Sequence, residues 1–509
     1  MKRYISITSA LTNKNLFGPL YAAPSWSLWR TILKAAYAEP LTDEEVAAFT
    51  QVANRSPPTK RVKELVIIAG RGAGKDSNAG TIAVHQGINF NPKGRLRPGE
   101  KAVIMCLACD REQARIVHGY IRGMFESVPA LRKMMLSVNA DSIELTNNVV
   151  IEVHTNSYRS VRGRSIICAI FDECAFWRDE NSASPDTETY AAVSPGLGRM
   201  PGSMAILIST PHKKSGLLYD RYKKHYGRDD DNVLCVLGTT LQFNPTFDPQ
   251  VIADALESDP QLYNAEYNSI WRTDIETFID RQVVEDSVGD GIELPPVRGI
   301  SYIATGDQST GSGADSFAVA IAYHDFAASK TILVATREYR PPFSPEQVIG
   351  EISDFLKTYG ISKIWIDRHA YNYVREHFAK HGITCPLFTD KDEKYLDKSA
   401  IYGAFLPLIN SKRVELRNNP RLIAQCCALE RRVTRGSSNE NIDHPTGQHD
   451  DLINAAAAAL VMAAGSMSKA AEWAAVGRTL AHNPLLIGDT GHSAILYAEQ
   501  HNRSFNNRF

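Results

Sequence analysis

Lys75 is preceded by Gly70, Arg71, Gly72, Ala73 and Gly74, and followed by Asp76 and Ser77. Glycines there let backbone N–H groups converge on anionic oxygens, while a lysine reaches the terminal phosphates of a nucleotide. A helix starting after them turns its N-terminus toward the charge. The fit to G-x-x-x-x-G-K-[ST] is incomplete. Ala69 takes the first glycine position, and Asp76 stands where a hydroxyl would ligate Mg2+. Either Asp76 ligates the metal or Ser77 takes over, and an extra negative charge beside a triphosphate is a cost. Downstream, SIICAIFDE ends in Asp172 and Glu173. A carboxylate at that strand end holds Mg2+, and the next one polarises the water that attacks the γ-phosphate. AILISTP ends in Ser209 and Thr210, hydroxyls placed to couple loss of that phosphate to movement. Phosphoryl transfer also needs cations near the developing charge. Arg71 is the best placed, with Arg159, Arg162 and Arg164 as further candidates. ATP hydrolysis with Mg2+ is the chemistry these residues predict.

A second set of carboxylates lies further along. Asp307 ends YIATGD, Asp367 ends KIWID, and Asp450 and Asp451 open DLINAAAAAL. Two Mg2+ or Mn2+ ions about 4 Å apart can clamp a scissile phosphate when carboxylates from separate elements hold them. Without metal, such a cluster suffers like-charge repulsion. One rotation of the helix favours Asp451 as the ligand, with Asp450 second; His449 is a candidate phosphate or water contact. Gly447 releases the chain just before this helix.

The elements that must position these residues can be read from the apolar pattern. ELVIIAG, KAVIMCLAC, SIICAIFDE and SMAILIST alternate with helix-like segments, which predicts a mostly parallel sheet covered on both faces. SYIATGD, DSFAVAIAY and KTILVATREY are spaced as an antiparallel meander, followed by a helix, the strand KIWID and more helices. The fold expected is α/β: a P-loop (ASCE-type) ATPase domain with a mostly parallel sheet, then an RNase H-like α/β nuclease domain. Residues 1–60 read as a helical segment joined to the ATPase over 61–285. A linker at 286–300, the nuclease at 301–470 and a mobile tail at 471–509 follow.

In 509 residues, 56 Lys and Arg balance 57 Asp and Glu, for a formal charge of -1. That excludes an all-over basic coat, so any polyanion must meet local patches. HKKSGLLYDRYKKH, with Lys213, Lys214, Arg221, Lys223 and Lys224, is one candidate for facing DNA, or else a solvated helix face. Apolar residues make up 43% and charged residues 22%, ordinary globular values, and the longest apolar run is too short to cross a membrane. The eight cysteines sit mostly in apolar stretches, as core residues of a reducing compartment. Cys106 and Cys109 form a C-x-x-C with no second pair at zinc-ligand spacing.

Taken in order, AGRGAGKDS, IFDECAFW, ILISTP, Asp307, Asp367 and GQHDDLINA resemble the large terminase subunit of tailed bacteriophages. SWSLWR and AEYNSIW add to the likeness, which runs from about Trp26 to Ala464. The resemblance implies a motor that cuts concatemeric double-stranded DNA, docks on a portal protein and drives DNA into a procapsid with ATP. It implies a small terminase subunit as partner, a homo-oligomeric ring on the portal with a monomer as the alternative state of the isolated chain, and the host cytoplasm as its place. By position, Lys75 would bind phosphates, Asp172 magnesium and Glu173 the catalytic water. Ser209 and Thr210 would couple hydrolysis to movement, and Asp307, Asp367 and Asp451 would cut. Asn454 stands where the family often has a second acidic residue, a departure expected to be without catalytic effect. The alternative is a host repair or defence DNA translocase/helicase–nuclease; helicases usually carry further motifs on a second motor domain, and this chain has one P-loop.

Overall fold

Interior parallel strands must be apolar on both faces, and four runs of this chain are. The structure, a computed structural model, describes residues 4–156, 161–177, 182, 185–272, 275–313, 315–368, 371–388, 397–433, 440–445 and 448–465. The tail expected at 471–509, Arg159 and Gly447 lie outside them. The chain divides into two compact units. Met1–Asp280 with Ile423–Gln448 form the first, and Arg281–Leu422 with the segment from His449 form the second.

The first unit holds an eight-stranded sheet. Its strands are β1 Glu64–Ala69, β2 Ala102–Ala108, β3 Met135–Val138, β4 Ser142–Leu145, β5 Val149–Thr155, β6 Ser165–Asp172, β7 Met204–Ser209 and β8 Val233–Gly238. They lie in the order β3-β4-β5-β2-β6-β7-β1-β8. β5, β2, β6, β7, β1 and β8 pair in parallel, and β3 and β4 join antiparallel at one edge. The four strands read from the sequence are the adjacent central ones, β2-β6-β7-β1. Leu65 and Ile67 pack into one core, while Val66 and Ile68 pack into the core on the other face. Because the central strands are parallel, the residues following β1, β6 and β7 all emerge at one edge. Asp172 pairs with Ile208 and Ile68 with Ser209, so the three strand ends are level.

The second unit is built on β9 Ile303–Asp307, β10 Phe317–Asp325 and β11 Lys330–Tyr339, an antiparallel meander. β12 Ile364–Ile366 runs parallel beside β9, and bridges from Lys363 to Thr384 and from Ile366 to Leu387 extend the sheet one strand further. The resulting order, third-second-first-fourth-fifth, is that of an RNase H-like sheet. A short strand, β13 Val414–Glu415, lies parallel beside β11. The helix Asp451–Gly465 packs its alanines onto the sheet, and the Thr305 hydroxyl donates to the Ala455 carbonyl at 2.7 Å.

Two boundaries differ from the sequence reading. Residues 286–300 are not a free linker: Gly289 N–H donates to the Leu416 carbonyl, Leu294 N–H to Val334, and the Tyr359 hydroxyl to Glu293. Their glycines and prolines shape a segment that packs against β11 and β13. The second unit is also discontinuous, because Ile423–Gln448 belongs to the first. There Glu430–Val433 pairs antiparallel with both Ile275–Thr277 and Glu440–Asp443. Those strands are short and mostly polar, so no apolar pattern marks them in the sequence.

Candidate nucleotide and metal sites

β1 runs into Gly70, and the loop closes at Gly74, which caps the helix Lys75–Asn89 in the left-handed region at φ 88°. Only glycine holds that conformation without strain. A Cβ on Gly70 would lie 2.2 Å from the Thr240 hydroxyl and 2.8 Å from the Tyr267 carbonyl, so the loop tolerates no side chain there. The loop is braced from behind. Trp29 Nε1 donates to the Ala73 carbonyl at 2.8 Å, the Thr240 hydroxyl to the Arg71 carbonyl at 2.8 Å, and Asn244 Nδ2 to the Gly72 carbonyl at 3.0 Å. These carbonyls are thereby turned away from the side where the N–H groups would meet phosphate.

Lys75 is buried, its ammonium 3.2 Å from the Ala69 carbonyl and 3.4 Å from Glu173 Oε1. Glu173 follows Asp172 with φ 46°, a left-handed turn that aims its carboxylate across the strand ends. Its Oε2 accepts the Ser209 hydroxyl at 2.9 Å and the Thr210 N–H at 3.3 Å. The structure therefore brings Lys75, Glu173, Ser209 and Thr210 together. Asp172 is 1% exposed; Gln113 Nε2 donates to its Oδ2 at 2.9 Å, while Oδ1 has no partner. Asp76 faces it, also with an unpartnered Oδ1. Burial pushes both carboxyls up, Asp172 well above the ordinary range with Asp76 and Glu173 adding to the effect. A hard divalent cation fits this donor set. Ser77 does not face it, since its hydroxyl donates to the Gly74 carbonyl at 3.0 Å.

In the second unit, Gly306 of β9 pairs with Ile366 of β12, so Asp307 and Asp367 leave neighbouring parallel strands at the same end. The helix Asp451–Gly465 brings its first residue to that end. Burial raises the Asp307 carboxyl well above its ordinary range, and Asp451, Asp450 and Asp367 raise it further. The structure thus assembles the expected carboxylates. Asp451 Oδ2 accepts the Ser316 N–H at 2.8 Å, while Asp450 is engaged by the Tyr402 hydroxyl at 2.8 Å and Lys398 at 2.7 Å. Asp451 is therefore the less engaged carboxylate, and Asp450 an anchor of the helix start. Asp315 is the residue sequence reading passed over. His449 Nδ1 lies 3.2 Å from Asp315 Oδ1, and ligand atoms of Asp315, His449 and Asp451 lie within 4.8 Å of one another. The chemistry of these donors suits Mg2+ or Mn2+. Asp315 follows a serine- and glycine-rich stretch with no periodicity, so nothing in the sequence set it apart from a turn aspartate.

Residues 38–269 match the family described as the N-terminal P-loop domain of the uncharacterized protein MJ0330. The first unit contains a P-loop domain. Among curated proteins, none matches the chain. Among solved structures, the large terminase of bacteriophage HK97 is 18% identical over 84% of this chain and 96% of that one, at a TM-score of 0.37. The large terminase of a thermophilic bacteriophage, in complex with ATP-γ-S, is 13% identical over 82% and 97%, at 0.35. The large terminase nuclease of thermophilic phage G20c with bound magnesium is 12% identical over 35% of this chain and 94% of that one, at 0.29.

Within the P-loop domain, not every cation expected near the phosphates is there. Arg71 is on the loop, largely exposed, 3.7 Å from Glu266. Arg164 precedes β6, whereas Asp172 ends it, so about 25 Å of strand at 3.3 Å per residue separates them. Arg162 and Arg164 instead line a cavity with Arg199 and Glu188 on the opposite edge. Of the basic stretch, Arg221 pairs with Glu64 at 2.9 Å and stacks over Tyr190, and Lys213 pairs with Glu430 at 3.4 Å. Those two are committed to the fold. Among the described residues, no helix is long and apolar enough to cross a membrane.

Proposed function

We propose that this chain is a viral DNA-packaging motor subunit that hydrolyses ATP to move double-stranded DNA into a procapsid and cuts concatemeric DNA with a metal-dependent nuclease. The observation that carries this reading is the pairing, in one chain, of two sites. The Lys75–Glu173–Ser209 linkage lies at the end of a parallel sheet, and the Asp307, Asp367 and Asp451 cluster lies on an RNase H-like sheet. One site suits phosphoanhydride hydrolysis, the other phosphodiester hydrolysis.

In the first, the N–H groups of Gly72 and Gly74 and the Lys75 ammonium bind the β- and γ-phosphates of ATP, while the N–H groups of Gly70, Arg71 and Ala73 are held by the Gly238, Glu266 and Gly70 carbonyls and fix the loop. Mg2+ bound at Asp172 would neutralise charge developing on the phosphates. Lys75 is shared between the phosphates and Glu173, so nucleotide arrival frees the Glu173 carboxylate to orient water and accept its proton. Ser209 and Thr210 hold the other oxygen of Glu173, so a shift of that carboxylate is transmitted into β7. Arg71 stabilises negative charge at the loop. In the second site, Asp307, Asp367 and Asp451 would hold Mg2+ or Mn2+, which would supply charge stabilisation for phosphodiester hydrolysis, with His449 positioned by Asp315 to orient water. Portal protein and a small terminase subunit are the proposed partners, and a ring on the portal within the host cytoplasm is the proposed working form.

The test is packaging itself: purified chain, portal-bearing procapsids, ATP and linear DNA, scored as DNA protected from added nuclease. ATP-dependent protection lost in Lys75→Ala is expected. Hydrolysis and cutting by the pure protein without any protection would assign it instead to a translocase–nuclease outside packaging.

A further inference from the structure

Resting on the ATPase reading, we propose that Asp76 and Asp172 together form a divalent-cation site that fills before nucleotide arrives. In a P-loop with Ser or Thr after the lysine, the loop offers the metal a neutral hydroxyl, and the nucleotide phosphates supply most of the compensating charge. Here the loop offers a second carboxylate, near enough to Asp172 for each to bear on the other's charge, and each keeps one buried oxygen without a hydrogen-bond partner.

The Lys75 charge favours both, but its ion pair is with Glu173 and not with either of them. Asp172 is 1% exposed, and Gln113 occupies its Oδ2, which leaves Oδ1 turned into the site without a partner. Asp76 Oδ1 is likewise buried and unpartnered. Lys75 directs its ammonium to the Ala69 carbonyl and to Glu173. The hydroxyl of Ser77 is spent on the Gly74 carbonyl. Orphaned carboxylate oxygens in a dry site are costly unless a cation or a shared proton answers them. Mg2+ is commonly held by one or two carboxylates plus water, which is the donor set this pair presents. The loop would then be loaded with metal first, and ATP would arrive to a site already carrying two compensating charges.

Titration calorimetry with Mn2+ on nucleotide-free, full-length protein tests this. The Asp307→Asn, Asp451→Asn double variant removes nuclease ligands; Asp443, His444 and Asp450 remain as another ligand cluster, so the loop is read from the difference that Asp76 makes. One Mn2+ per chain is expected, bound at least about tenfold more weakly, roughly 1.4 kcal/mol, once Asp76→Ser is added. Asp76→Asn, nearly isosteric, carries the same expectation should the serine variant melt early. No Mn2+ binding in the double variant, or equal binding with and without Asp76, overturns the proposal and leaves a pair that shares a proton. ADP release by the wild-type protein is measured separately. Hydrolysis without metal-first binding sinks only this inference, whereas Mn2+ binding without hydrolysis sinks the ATPase reading.

Discussion

The side-chain amide of Asn454 donates a 2.8 Å hydrogen bond to Asp307 Oδ2. Asn454 lies one helical turn after Asp451, so it reaches the carboxylate crowded by three others and offers it a donor. An amide at this position therefore supports the Asp307 carboxylate. Asn454→Asp would turn that donor into a further acceptor. Its melting temperature in chelator is expected to fall by about 2–8 °C, corresponding to about 1–3 kcal/mol. Added Mg2+ should recover more of the loss than it adds to wild type. An unchanged melting point would mean the amide does not support the Asp307 charge.

The two activities should separate cleanly by mutation. Glu173→Gln keeps the shape of the side chain but cannot take a proton. ADP release is expected to fall at least about a hundredfold, with nucleotide still bound. Plasmid cutting in Mg2+ or Mn2+ should be untouched. Asp307→Asn should do the reverse. Equal loss of both activities in either variant would mean the sites are not independent.

Trp29 is expected to set the affinity of the loop. Trp29→Phe keeps an aromatic ring in the core but leaves the buried Ala73 carbonyl without its donor. A stability loss of about 1–3 kcal/mol and a several-fold weaker Kd for an ATP analogue are expected. Trp26, whose ring lies about 3.5 Å from where a side chain on Gly74 would sit, makes the test convenient. Its fluorescence should change on titration, and the change should vanish in Trp26→Phe.

Acid should weaken the first unit through His85. This side chain is 1% exposed, contacting the Tyr37 hydroxyl at 3.0 Å and the Ile5 carbonyl at 2.8 Å. Burial, aided by the charge of Arg61, lowers it from 6.5 to about 4. The unfolded chain thus takes up a proton that the folded chain refuses. The contribution is complete above pH 6.5 and is lost as pH falls toward 4, about 3 kcal/mol in all. Urea titrations of wild type and His85→Gln at about pH 7 and about pH 4.5 should show the variant losing less stability on acidification. Parallel losses would remove His85 from the account.

The central sheet was legible because β1, β2, β6 and β7 are buried on both faces and therefore continuously apolar. β3 is largely exposed and β5 carries Glu152 and His154, so the flank of the sheet gave no such signal. The strand-end residues were legible for the same reason, since a parallel sheet delivers its chemistry to one edge. What escaped were contacts made by residues far apart in the chain. Gln113 on Asp172, Trp29 on Ala73, and Asp315 beside His449 depend on tertiary closeness that no local pattern encodes. Arg164 shows the converse error. It is close to Asp172 in sequence, but an extended strand carries the two to opposite ends.

The return of Ile423–Gln448 to the first unit bears on how such a chain can be divided or inherited. A gene fragment beginning after Asp280 would encode Glu430–Val433 and Glu440–Asp443 but not Ile275–Thr277, the strand with which Glu430–Val433 pairs. A fragment ending at Asp280 would lack them in turn. Recombination at a single junction between the two activities would leave an unpaired edge on each side of the exchange. The two units are thus expected to travel between genomes as one piece, and to be exchanged only where every crossing of the chain between them is cut together.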